Sequence, residues 1–159
     1  MTKFLKKILP YLIAVAAAVV VFEVVTEVFH PLKVEGASMY PTLRNGQLIT
    51  CNEVGETIET NDIVVFTKEA KKYIKRIVAI PGDKVVIRSG KLYVNDIYME
   101  QYEEKIEDPG ILENEIYLGN DEYIALGDNI NNSIDSRNES VGIVFKNDIK
   151  LLVAKGELV

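Results

Sequence analysis

The chain is poor in the residues most often used for acid–base and metal chemistry. Its 159 residues include one histidine (His30), one cysteine (Cys51) and no tryptophan. A structural zinc site takes about four Cys or His ligands, so this set cannot build one. A Ser-His-Asp arrangement would have to use His30, which stands beside an apolar run and directly before Pro31. A lone cysteine closes no intramolecular disulfide, and Cys51 reads as a small buried hydrophobe. No glycine-rich phosphate loop of the P-loop or dinucleotide type is present. Neither metal nor organic cofactor is expected. Basic residues are also few, with 18 Lys and Arg against 24 Asp and Glu for a net charge of −6. The first thirty residues hold Lys3, Lys6 and Lys7 against Glu23 and Glu27, leaving 15 basic and 22 acidic residues, net −7, in the remainder. An acidic body argues against nucleic acid as a partner, because phosphate binding needs basic surface.

Long apolar runs are limited to one. Ile8–Phe22 (ILPYLIAVAAAVVVF) carries no charge, and EVVTEVFHP follows with Glu23 and Glu27. Crossing the hydrocarbon core takes roughly 20 residues, so a span must borrow from its flanks. Lys6 and Lys7 can snorkel at one end, and Val24–Phe29 can continue the helix at the other. One transmembrane helix is therefore expected. Lys3, Lys6 and Lys7 put its N-terminal end in the cytoplasm. The expected division is 1–30 as cytoplasmic tip and anchor and 31–159 as an extracytoplasmic domain, held at the cell membrane by a single pass. A cleaved signal peptide is the rival reading. It is disfavoured because the small residues Ala14–Ala18 lie inside the apolar run and not after it. A buried soluble helix is disfavoured by the leading lysines and the lack of polar residues.

After Pro31 the pattern changes to short strands. Gln47–Thr50, Ile63–Phe66, Tyr73–Ile80, Lys84–Ile87, Lys91–Val94, Ile97–Met99, Ile124–Leu126, Ile143–Phe145 and Ile149–Ala154 are apolar runs bounded by turn residues. Arg88-Ser89-Gly90 reads as a hairpin turn. The predicted class is mainly β, an antiparallel sheet or partial barrel. Residues 100–122 are rich in acid and turn formers and read as a solvated excursion without chemistry.

With His30 and Cys51 poorly placed, a hydrolase would need a serine or threonine activated by lysine. A lysine base must be neutral near working pH, and only burial lowers its value of about 10.4 far enough. Lys75 is the one built for this. Strand alternation puts Tyr73, Lys75, Ile77 and Ala79 on one face, with Ile74, Arg76, Val78 and Ile80 on the other. The blander reading is a lysine at a strand edge, reaching for water. Ser38 lies in VEGASMYPTL (Val34–Leu43), just past the apolar run, where a surface turn is the bland reading. A third cluster, GDNINNSIDSR (Gly127–Arg137), reads by itself as an Asx-rich loop. EF-hand calcium binding is a weak alternative there, since the loop lacks the Gly and terminal Glu at EF-hand spacing.

Three blocks thus stand in order behind the apolar run: GASMYPTL (Gly36–Leu43), YIKRIVAIPGD (Tyr73–Asp83) and GDNINNSIDSR. Their combination resembles the bacterial type I signal peptidases, and the single short anchor and small body resemble the Gram-positive versions. Relatives in the endoplasmic reticulum place a His where Lys75 stands. The resemblance implies a Ser/Lys dyad, with Ser38 as nucleophile, Lys75 as general base and Ser133 orienting the lysine amine. It implies an oxyanion hole using the Ser38 backbone N–H, and scaffold ion pairs among Asp128, Asp135, Arg76 and Arg137. Some relatives carry a serine hydroxyl two residues before the nucleophile; here Gly36 has none. Ile130 replaces a usual arginine, and the chain ends soon after Ala154 without an aromatic tail. The implied substrates are exported preproteins, cut at the signal-peptide cleavage region. The implied surroundings are the lipid bilayer and the protein-export translocon. Two further readings stand beside this: a catalytically inactive, membrane-tethered binding module of the same fold, and a self-cleaving regulator.

Overall fold

A helix opens the chain. α1 (Thr2–Phe29) runs through the apolar stretch and ends where His30 meets Pro31. Proline disfavours helical geometry in the residue before it, which sets the stop. The computed structural model describes residues 2–102 and 105–157, with side chains for 7–23, 30–102 and 105–156. Along α1, Leu9, Leu12, Ile13, Val15, Val19, Val21 and Phe22 are each at least half exposed, on all sides of the helix. Among the described residues, no helix is long and apolar enough to cross a membrane. Of the flanks from which a span would borrow, Lys6 and 24–29 lie outside the described side chains.

The rest is antiparallel β. The strands are β1 (Pro31–Lys33), β2 (Leu48–Glu53), β3 (Ile63–Lys68), β4 (Lys71–Ala79), β5 (Lys84–Arg88) and β6 (Lys91–Val94). They continue with β7 (Ile97–Tyr98), β8 (Ile116–Tyr117), β9 (Glu122–Leu126), β10 (Val144–Phe145) and β11 (Ile149–Val153). Seven strands form one sheet in the order β1-β2-β11-β3-β4-β9-β10, and four form another in the order β7-β6-β5-β8. The hairpin between β5 and β6 turns through Ser89 and Gly90, at φ 52° and 75°. Two central residues at positive φ match the right-handed twist of the flanking strands. This is the turn expected from Arg88-Ser89-Gly90.

Three apolar clusters hold the sheets. One joins the end of β4 (Val78, Ala79) to β5, β6 and β9. A second lies around Phe66, Ile77 and Val144. The third seats the segment after β1 (Val34, Met39, Leu43) on Ile49, Cys51, Ile63 and Val65. Cys51 is fully buried there.

The excursion at 100–122 corrects the reading of its composition. Outside 103–104, which are not described, it buries Tyr102, Ile106, Leu112 and Leu118 in the first cluster. It also contributes β8 to the four-stranded sheet. Its acidic residues face water, but its spaced apolar residues bind it to the core. A bulge between Ile77 and Ala79 likewise changes the face of Ala79. Tyr73 and Ile77 stay in the second cluster as alternation requires, while Ala79 joins Val78 in the first.

Candidate active site

Three stretches distant in sequence converge beside β4. The segment after β1 brings Ser38, anchored by its buried neighbour Met39. Strand β4 brings Lys75. The loop after β9 brings Asn131–Ile134. Together with Leu32–Met39 and Lys72–Ile74, they line an open groove of about 720 Å³.

The Lys75 amine lies 2.7 Å from Ser38 Oγ. It also donates to the Ile74 carbonyl at 3.1 Å. Lys75 is only 4% exposed. Burial disfavours its charged form and lowers its pKa from 10.5 to about 8. The charges of Asp135 and Asp128 act upward against this, and that of Arg137 acts downward. Lys75 is thus poised to exchange a proton close to neutral pH, with a hydroxyl in reach.

Two ion pairs shape the walls. Arg76 forks onto Asp128, from Nε at 2.8 Å and from Nη2 at 2.6 Å. Arg137 forks onto Asp135, at 2.8 Å and 3.0 Å. The second pair is deeply buried. Arg137 also donates to the carbonyls of Asp108, Ile130 and Ser133. That satisfies the guanidinium, which a buried charge requires. It also holds the loop 130–137 in one shape. Ile130, in place of an arginine, is buried in the first cluster.

Ser133 stands differently from expectation. It lines the groove, but its Oγ is buried and has no hydrogen-bond partner among the described residues. The expected bond to the Lys75 amine is therefore not formed in this conformation. His30 lines no part of the groove; its Nε2 stands 4.0 Å from Glu53 Oε1. Gly36 has φ 87° and its N–H donates to Asn45 Oδ1 at 2.9 Å.

Gly127 was not singled out from sequence. A Cβ there would fall 2.6 Å from the Ser38 carbonyl oxygen and from Ser133 Cβ, and against Ser133 Oγ. The pattern carried a signal for it: a glycine at the point where a strand leaves the sheet beside two reactive side chains marks close backbone approach.

The open edge of β4 completes the groove. Its pairing with β9 begins at Arg76, opposite Leu126, so among the described residues Lys72–Lys75 are laddered on the β3 side alone.

Comparison with known proteins bears on what this groove is for. The family model described as "Signal peptidase, peptidase S26" matches residues 4–157. Signal peptidase I P of Bacillus subtilis subsp. natto is 35% identical over 147 residues, covering 84% of this chain and 79% of its own. Signal peptidase I S of Bacillus subtilis (strain 168) is 31% identical over 166 residues, covering 91% and 85%. A crystal structure of a signal peptidase I from Enterococcus faecalis V583 aligns with 62% of this chain and 98% of its own, at 21% identity and TM-score 0.49.

Proposed function

Since the chain belongs to the signal peptidase family, peptidase S26, and so to the serine endopeptidases, we propose that it removes signal peptides from exported preproteins by a Ser38/Lys75 dyad. The observation that carries this reading is the 2.7 Å contact between Ser38 Oγ and a buried lysine amine.

Neutral Lys75 accepts the Ser38 proton as Oγ attacks the scissile carbonyl. The Ser38 N–H meets the oxyanion. The hole receives no side-chain hydroxyl from Gly36. Lys75, now charged, gives its proton to the departing amine and becomes neutral again. It then takes a proton from the water that attacks the acyl-enzyme and returns it to Ser38 Oγ as the acyl bond breaks, which restores the neutral amine and the free hydroxyl. Ser133 acts on the amine, its free buried hydroxyl becoming a partner when the lysine side chain moves during the cycle. Arg76–Asp128 and Arg137–Asp135 hold the walls and do not exchange protons. The substrate lies extended along the open edge of β4 as an added strand.

Residues 31–159 form the catalytic domain in this reading, and 1–30 the anchor. Support for an anchor comes from the exposed apolar side chains between Leu9 and Phe22, which no other part of the described protein covers. A helix apolar on all sides is at home in lipid. The lysines at 3, 6 and 7 then hold the N-terminus in the cytoplasm, with the catalytic domain on the far side of the cell membrane. Enzyme and signal peptide share one surface, near the export translocon, which raises their encounter. An inactive tethered module would not need to keep Ser38 and Lys75 in contact.

The deciding experiment incubates detergent-solubilised protein with a preprotein, beside Ser38→Ala and Lys75→Ala. Cleavage at the signal-peptide boundary by the wild type alone is expected. Equal cleavage by all three would sink the proposal.

A further inference from the structure

The loop that leaves β9 does more than supply Ser133. Gly127 N–H donates to Asp135 at 3.1 Å, and the Asp128 carboxylate is gripped by Arg76. The next residue, Asn129, is turned toward the nucleophile. Its backbone N–H donates to the Ser38 carbonyl at 3.0 Å. Its side-chain Nδ2 donates to the Ala37 carbonyl at 3.1 Å. One residue thus holds two successive carbonyls at the reacting serine.

The consequence follows from peptide geometry. The Ala37 carbonyl and the Ser38 N–H belong to one planar trans amide, in which they point in opposite directions. Fixing the oxygen fixes the direction of the N–H. That N–H makes no hydrogen bond among the described residues, so it is available to a ligand in the groove. The Ser38 carbonyl, held by the Asn129 N–H, sets the next amide, that of Met39, in the same way. Donation to the Ala37 oxygen also polarises the amide and strengthens its N–H as a donor. Among the described residues the Ala37 oxygen has one other donor, Tyr40 N–H at 3.1 Å. That bond closes a local turn, and the Asn129 amide adds a second tether to the same oxygen from a loop distant in sequence.

We propose that Asn129 is the positioning residue of the oxyanion hole: it aims the Ser38 N–H at the developing oxyanion by holding the far end of the same amide plane. This rests on the dyad reading above. Asn129 does not touch substrate. With Gly36 lacking a hydroxyl, the aim of backbone donors matters more here than in an enzyme with a second side-chain donor. Deleting one oxyanion donor outright costs about 10²–10³ in kcat. Misaiming one costs less.

The test uses the full chain in detergent, a fluorogenic peptide spanning a signal-peptide cleavage region, and the variants Asn129→Ala and Asn129→Asp. Asn129→Ala removes the Nδ2 donor. Asn129→Asp keeps the shape but sets a carboxylate oxygen against the Ala37 carbonyl. The expected result is a fall in kcat of about tenfold or more in Asn129→Ala and a larger fall in Asn129→Asp. KM should stay within about threefold, because ground-state binding is untouched. The midpoint of the pH–rate profile should not move in Asn129→Ala, because that variant leaves the charges around Lys75 unchanged; in Asn129→Asp the added carboxylate should raise it, as Asp128 and Asp135 do. The thermal midpoint should stay within about 3 °C. Unchanged kcat overturns the proposal. So does a displaced pH midpoint in Asn129→Ala, which would mean that Asn129 acts through Lys75. A loss confined to KM, or failure of both variants to fold, likewise overturns it in favour of a binding or purely structural role. If the wild type itself cuts nothing, the dyad reading falls and takes this inference with it; if the wild type cuts and both variants match it, this inference falls alone.

Discussion

Lys75 and Arg76 are neighbours in sequence, yet only Arg76 holds a carboxylate. Arg76 forks onto Asp128, whereas the amine of Lys75 meets the Ser38 hydroxyl and the Ile74 carbonyl. Strand alternation sends the two side chains apart, and the difference in partners sets their chemistry. A lysine paired with a carboxylate would hold its proton. A lysine buried against a hydroxyl gives it up more easily.

The first prediction is therefore a pH profile. Lys75 acts as a base only when neutral, and its pKa is lowered to about 8. Cleavage should rise with pH, reach half its maximum near that value and level off above it. Two pH values below the midpoint, the rate should be down by about a hundredfold. Initial rates on a peptide substrate between mild acid and pH 10 measure this. A flat profile would remove lysine from the mechanism.

The same shift has a consequence for stability. The folded pKa, about 8, lies below the reference value of 10.5 that the unfolded chain takes. Between those values the unfolded chain binds more protons, so stability rises with pH across that window. Below it, the full cost of burying a charged amine is present. A fall from 10.5 to about 8 corresponds to roughly 3 kcal/mol. Lys75→Met keeps the volume and removes the charge. It should be inactive and more stable than the wild type at pH 7, with the gap narrowing as pH rises toward 10.5. Urea denaturation at pH 7 and pH 10 tests this; a destabilised variant at pH 7 would contradict it.

Ser133→Ala should separate activity from stability. The Ser133 hydroxyl is buried and unpartnered, so its loss removes no hydrogen bond from the resting enzyme. Burying a hydroxyl without a partner is itself unfavourable. The variant should unfold at the same temperature as the wild type or slightly above. If the hydroxyl steadies the lysine amine during turnover, kcat should fall by about tenfold or more. A thermal midpoint several degrees lower would show that the hydroxyl is bonded in the resting state after all.

How far these features could be read in advance depended on their range. The strand β4 was legible because Tyr73–Ile80 is long and alternating; that alternation set Lys75 on an apolar face but left open a strand-edge lysine reaching for water, and its 4% exposure comes from the structure. The hairpin at Ser89-Gly90 was legible because positive φ has a residue signature. The turn from β3 to β4 was not, because Glu69 and Ala70 take φ 48° and 63° without glycine or asparagine. Strand β1 is three residues long and owes its pairing to β2 rather than to its own composition. The excursion was misjudged because charge dominates its composition. The apolar residues that bind it, Tyr102, Ile106, Leu112 and Leu118, are too widely spaced to show a period. The meeting of Ser38 with Lys75 joins residues 37 positions apart. No local pattern encodes such a contact, and only the resemblance of the three blocks to a family pointed to it.

The sharpest steric prediction concerns Gly127. It lies in the buried crevice between Ser38 and Ser133, where an added Cβ would approach the Ser38 carbonyl oxygen to 2.6 Å. Backbone cannot yield as the end of a flexible side chain can, so the methyl of Gly127→Ala must move the Ser38 segment or the 127–133 loop. Either movement disturbs the 2.7 Å contact between Ser38 and Lys75. Overpacking of this kind costs about 1–3 kcal/mol of stability. Catalysis should suffer more, because a displacement near 1 Å can cost about 10² in rate. Gly127→Ala should thus fold, with a modest loss in thermal midpoint, and cleave at about one hundredth of the wild-type rate or less. The control is Gly55→Ala, where a Cβ meets nothing within 4 Å, and it should leave cleavage unchanged. Wild-type activity in Gly127→Ala would mean that the crevice between Ser38 and Ser133 opens during turnover.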